Sequence, residues 1–101
     1  MKKHFVSLLL AAFFTILTVE TKAQRLTLLV ESGDAAFANN NFYGAAVFYN
    51  QAILKDSTDI KLQYKYAQAS RLNLDYDIAD HWYTKVYDQD KQGIQFPECV
   101  F

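Results

Sequence analysis

The sequence predicts an all-α chain built as an array of helix–turn–helix units. Three observations carry this. Leu26–Asp59 and Ile60–Gly93 coincide when one is laid over the other: Gly33 falls on Ala67, Phe42 on Tyr76, Ala45 on Ala79, Phe48 on Trp82, Tyr49 on Tyr83 and Asp56 on Asp90. A fixed period of about 34 residues is the signature of a helical repeat array. Small and aromatic residues also recur at helical spacing, as in Phe42, Ala45, Ala46, Tyr49, Ala52 and Ile53. That is the i, i+3, i+4, i+7 stripe of a core-facing helix. Finally, no stretch alternates as a strand, and of 1 Pro and 3 Gly only Gly33 and Gly44 fall inside a predicted helix.

The N-terminus is read apart from the fold. Lys2 and Lys3 are basic, Phe5–Val19 is a nearly unbroken apolar run, and Thr21-Lys22-Ala23 offers small residues before Gln24. Residues 1–23 thus carry all three parts of a secretory signal peptide. A membrane span would need about 20 apolar residues, and this run is shorter. No Cys stands at the cleavage point to take a lipid anchor. The expectation is an exported chain with no transmembrane span once the signal is removed.

The mature chain would be Gln24–Phe101, with 7 Lys/Arg and 10 Asp/Glu, a formal charge of −3. Nucleic acid and anionic lipid reward a basic face, so this balance argues against both. Cys99 is alone and makes no internal disulfide. Packing must therefore stabilise a small core.

The first helix is expected over about Leu26–Ala38. Asn39-Asn40-Asn41 breaks it, since Asn tolerates the left-handed conformation that closes a helix. The second covers about Phe42–Lys55 and ends at the turn cluster Asp56-Ser57-Thr58-Asp59. Asp59 caps the third helix, about Ile60–Asn73. The fourth covers about Tyr76–Gln89, with Asp75 as its cap. Gly33 sits where two helices of a hairpin approach closely; a helical Gly costs about 1 kcal/mol against Ala, and close packing compensates. Pro97 suits a first helical turn. Residues 26–59 and 60–96 form two units, and 97–101 reads as the start of a third, cut within its first turn. On this reading coding sequence continues beyond Phe101.

These residues resemble the tetratricopeptide repeat, a helix–turn–helix unit of about 34 residues that stacks into an α-solenoid. Leu29, Gly33, Phe42, Ala45, Tyr49, Ala52 and Asp56 match the family pattern in order in the first unit. Ala67, Tyr76, Ala79, Tyr83 and Asp90 match it in the second. Ser57, Gln63, Val86 and Lys91 depart from it. The signal ending Lys22-Ala23-Gln24 and the Asn/Tyr-rich segments are also similar to exported repeat proteins of Bacteroidota. In several of these, repeats precede a peptidoglycan-binding OmpA-type domain, and some serve type IX secretion and gliding. That resemblance implies the periplasm or outer-membrane envelope.

No catalytic constellation is found, and the chain is not read as an enzyme. Asp75, Asp77 and Asp80 lack the Gly and distal Glu of a calcium loop and read as acids at a helix start. His81 has no partner at metal spacing. Cys99 reads as a thiol to be buried by later sequence. No cofactor or metal is expected. The function classes left are binding and scaffolding of a protein partner, with self-association possible. The repeat family implies a concave groove lined by Thr27, Val30, Asp34, Phe37 and Ala38, then Lys61, Tyr64, Gln68, Arg71 and Leu72. Tyr and Arg are favoured interface anchors. The family's carboxylate clamp wants Lys and Asn where Val30 and Asp34 stand, so capture of a peptide C-terminus is not expected. Equally, these residues serve as a solvated face or are covered by later repeats.

Overall fold

The computed structural model describes residues 21–99. The predicted signal run through Glu20, and Val100 and Phe101, lie outside the described residues, as does the side chain of Cys99. The chain is all-helical, with no strand among the described residues. Helix α1 covers 21–38, α2 Phe42–Lys55, α3 Ile60–Leu72 and α4 Tyr76–Gln89, followed by a 3-10 turn at Pro97–Cys99. No described helix is long and apolar enough to cross a membrane.

Helix α1 begins earlier than its apolar stripe predicts. Residues 21–25 are exposed but helical, and Thr27 Oγ1 donates to the Ala23 carbonyl at 3.0 Å. Lys22, Ala23, Gln24 and Arg25 are strong helix formers, so propensity rather than burial extends the helix.

The two hairpins close in the same way. Asn40 has φ 61°, and Leu74, one period further on, has φ 65°. After α1, Asn40 N–H donates to Phe37 at 3.0 Å and Asn41 N–H to Ala36 at 2.8 Å. After α3, Leu74 N–H donates to Arg71 at 3.0 Å and Asp75 N–H to Ser70 at 2.8 Å. This left-handed closure satisfies carbonyls that the ended helix leaves without partners. Asn adopts it readily. Leu incurs a steric penalty, and its side chain, 71% exposed, recovers little by packing.

Side-chain caps start the next helices. Asn41 Oδ1 accepts from Gly44 N–H at 3.0 Å. Asp59 Oδ1 accepts from Lys61 N–H at 3.0 Å and Leu62 N–H at 3.4 Å. Before it, Asp56 Oδ1 accepts from the Thr58 hydroxyl at 2.7 Å and its N–H at 3.1 Å. Those bonds favour the ionised carboxylate and lower its pKa. Asp75 begins α4 without a side-chain cap bond.

One core cluster lies between α2 and α3, and Ala67 of α3 and Ala79 and Val86 of α4 are buried as well. Ala45, Tyr49, Ala52 and Ile53 meet Leu62, Tyr66 and Ala69, with Leu29 and Phe37 of α1 and Ile78 and Trp82 of α4 packed against them. Alanines at these places let helices approach within about 8–10 Å. At Gly33 the approach is closer: an added Cβ would lie 2.5 Å from the Tyr49 ring.

Gln63 stands where the period calls for a large apolar residue, and it is only 4% exposed. Its Nε2 donates to the Ser57 carbonyl at 2.7 Å, and its Oε1 accepts from Gln89 Nε2 at 2.7 Å. Both ends of the buried amide are thereby satisfied, as burial of a polar group requires.

Two substitutions test this packing. Gly33→Ala is expected to lower stability by about 1–3 kcal/mol through overpacking, although Ala is the better helix former. Leu74→Gly is expected to raise it by about 0.5–1 kcal/mol, the relief of left-handed strain less the added freedom of the unfolded chain. Thermal melts followed by circular dichroism measure both.

Candidate functional site: the cleft between α1 and α3

An open cleft runs between α1 and α3, with Tyr49 of α2 at its base. Asp34, Phe37 and Ala38 line one side, and Lys65 and Gln68 the other. Helical spacing explains each set, since i, i+3 and i+4 share a face. Tyr49 lies with its ring buried, 2% exposed, and its hydroxyl donates to Asp34 Oδ1 at 2.5 Å. Lys65 Nζ donates to both Asp34 oxygens, at 2.9 and 3.0 Å. Both charged side chains stay substantially exposed, at 36% and 44%, so solvent screens the pair. Phe37 meets Phe42 edge-on at 5.3 Å, which fixes its ring in the wall.

Burial first, and then the Asp34 carboxylate, push the Tyr49 hydroxyl pKa well above the usual tyrosine range. Tyr66 is raised too, by burial and then by the charge of Asp75.

Further along α3 the face is occupied by the chain itself. Tyr64 stacks on Phe96, centroids 4.5 Å apart and planes inclined by 29°. Its hydroxyl donates to the Glu98 carboxylate and accepts from Gln68 Nε2. Tyr83 meets Tyr64 edge-on at 6.1 Å and accepts from Arg71 Nε at 3.3 Å. What holds Phe96 and Glu98 there is Asp90. Its carboxylate accepts from Ile94 N–H at 3.1 Å, Gln95 N–H at 3.0 Å and Phe96 N–H at 2.8 Å. Gly93, at φ 67°, supplies the left-handed step inside this loop.

The groove residues inferred from sequence therefore divide. Asp34, Phe37, Ala38 and Gln68 line the cleft. Val30 is half-buried and packs against the core. Thr27 is exposed on the early part of α1. Tyr64 and Arg71 belong to the Tyr83–Phe96–Glu98 cluster, while Lys61 and Leu72 are exposed outside the cleft lining. Lys65, Tyr49, Phe96 and Glu98 are the contacts missing from the groove that the family resemblance implies. Lys65 had a signal: it follows Asp34 by nearly one period and carries the opposite charge. The seat of Phe96 and Glu98 had none, because it depends on how one side chain gathers a loop.

His81 lies on the surface against Trp82, centroids 5.1 Å apart, and Lys85 Nζ stands 4.8 Å from the Trp82 ring centroid. No group of three or more metal-ligating side chains occurs among the described residues. The cleft offers a carboxylate already paired with an ammonium, an amide and an aromatic wall. A ligand there would be held by shape and hydrogen bonds. Comparison with known protein families, curated proteins and solved structures finds no match to the chain.

The raised tyrosines set the alkaline behaviour. The unfolded chain releases these protons near pH 10, whereas the folded chain retains them. The stability they contribute is full below about pH 10 and is lost as pH climbs through the higher folded values. Urea midpoints are expected to hold from pH 8 to about 10 and to fall above it, and Tyr49→Phe to soften that fall.

Proposed function

We propose that the chain is an exported protein–protein interaction module of the tetratricopeptide type, an α-solenoid that holds a protein partner in the cleft between α1 and α3. The observation that carries this reading is the hairpin closure repeated one period apart, at Asn40 and Leu74. The two hairpins share this closure, and the Asp34–Lys65 pair joins their first helices, which supports the reading. Stacked helical units of this kind present extended concave surfaces for binding. The signal-like residues 1–23 support the periplasm or the outer-membrane envelope as its place.

A second reading has one observation in its favour. Glu98 meets Tyr64 across one full period, much as Lys65 of α3 meets Asp34 of α1. On this reading the units act as a structural platform within a longer OmpA-type envelope protein, and the Tyr64 face serves stacking rather than capture.

Ala38 separates the two readings, because it is exposed and lines the cleft. Ala38→Arg is expected to fill the cleft and lower recovery of envelope partners at least ten-fold, with helicity unchanged and an Asp88→Arg control unaffected. Equal recovery by both variants would remove the cleft as the binding surface.

A further inference from the structure

A different cleft lies where α2, α3 and the α3–α4 turn meet, lined by Tyr43, Asn50, Tyr66, Ser70, Asn73 and Asp75 among others. Ser70 is 1% exposed, and its Oγ has no hydrogen-bond partner. Buried polar atoms are nearly always paired in folded chains. Ala36 occupies the same place in the first unit, so packing there does not call for a hydroxyl.

Asp75 is the second anomaly. It stands at the N-cap of α4, yet its carboxylate makes no capping bond. Asn41, its counterpart one period earlier, does cap its helix. The charge of Asp75 is felt instead by Tyr66, whose hydroxyl it helps to keep protonated. Among the described residues, no Lys or Arg lines this cleft.

The cleft therefore combines an uncompensated carboxylate, a hydroxyl and two amide side chains that offer oxygen acceptors, and two tyrosine rings. Tyr43, 68% exposed, forms an open wall, and Tyr66 a buried one at 7%. An anion would be repelled by Asp75. A hard divalent cation asks for a fuller set of oxygen ligands, more than one carboxylate among them. A primary ammonium brings a positive charge and three donors, and no acceptor to be left unpaired. Aromatic faces favour a cation beside them.

We propose that this cleft receives a lysine side chain presented by a protein partner, with its ammonium at Asp75 and Ser70 and its aliphatic stem along Tyr43. Docking here leaves the α1–α3 cleft free, so the chain holds partners on two separate surfaces.

The test is a titration of the full chain with Nα-acetyl-lysine methylamide, followed by amide NMR shifts. The expected result is saturable shifts at Ser70, Asn73 and Asp75, absent with the Nε-acetylated probe, which lacks the charge. Asp75→Asn, a residue that caps helices as well, is expected to weaken binding at least ten-fold. Ser70→Ala, which installs the residue of the first unit, is expected to keep the fold and weaken binding several-fold. Equal shifts from the two probes, no shift at tens of millimolar, or unchanged affinity in folded Asp75→Asn would each overturn the proposal. The comparison of probes decides the matter on the unaltered chain even where a variant folds poorly.

Discussion

Tyr49 occupies the core because Gly33 has no side chain. A Cβ at that place would overlap the Tyr49 ring. The ring delivers apolar area to the interior while its hydroxyl reaches the edge of the cleft, the usual division of labour in a buried tyrosine. There it finds Asp34, and Asp34 finds Lys65. One aromatic side chain thus ties α2 to α1 by packing and α1 to α3 through a carboxylate. The three contacts depend on each other: the hydroxyl needs its acceptor, the acceptor is placed by α1, and α1 sits where Gly33 permits.

This linkage also sets the character of the cleft. Its one carboxylate is engaged from two directions, so little net charge remains to attract a ligand from a distance. On the proposed reading, recognition there would rest on Phe37, Gln68 and the space over Ala38. The neighbouring Tyr64 surface is richer in anchoring groups, yet the chain covers it with Phe96 and Glu98. Asp90 organises that cover by drawing three backbone amides onto one carboxylate. Its counterpart Asp56 bonds only Thr58 in the described contacts. The same residue at the same place in the period closes a short turn in one unit and a longer loop in the other.

The helices were legible because their signals are local. Asn39–Asn41 and Asp59 state their roles in residue type, and the small residues at Gly33, Ala45 and Ala52 mark the contacts. Other features were not legible, for physical reasons. The left-handed residue after α3 is Leu74, which no propensity would choose; the surrounding closure imposes it. Asp75 has the residue type and nearly the backbone angles of a cap, φ −97° and ψ 77° against −89° and 78° at Asn41. What differs is where its side chain is directed, and sequence does not record that. The early start of α1 escapes a reading by apolar stripe because it rests on propensity alone. The cleft was partly visible: the family resemblance implied Asp34, Phe37, Ala38 and Gln68 as groove residues, while the helical stripe placed Tyr49 in the core without showing that it underlies them.

Gln63 has a consequence for the order of the units. Its buried amide requires a carbonyl from the turn before α3 and an amide from the end of α4, and Ser57 and Gln89 provide them. The first unit has Leu29 at the corresponding place. A copy of the first unit set in the position of the second would carry Leu in place of Gln63 and Lys in place of Gln89, leaving the Ser57 carbonyl without its donor. A copy of the second set in the position of the first would find Ala23 where Ser57 stands, and the Ala23 carbonyl lies within a helix and already accepts from a side chain. The units share a period but are not interchangeable. The buried glutamine works as a key that admits one neighbour, so shuffling or duplicating these units would break the match that the period alone suggests.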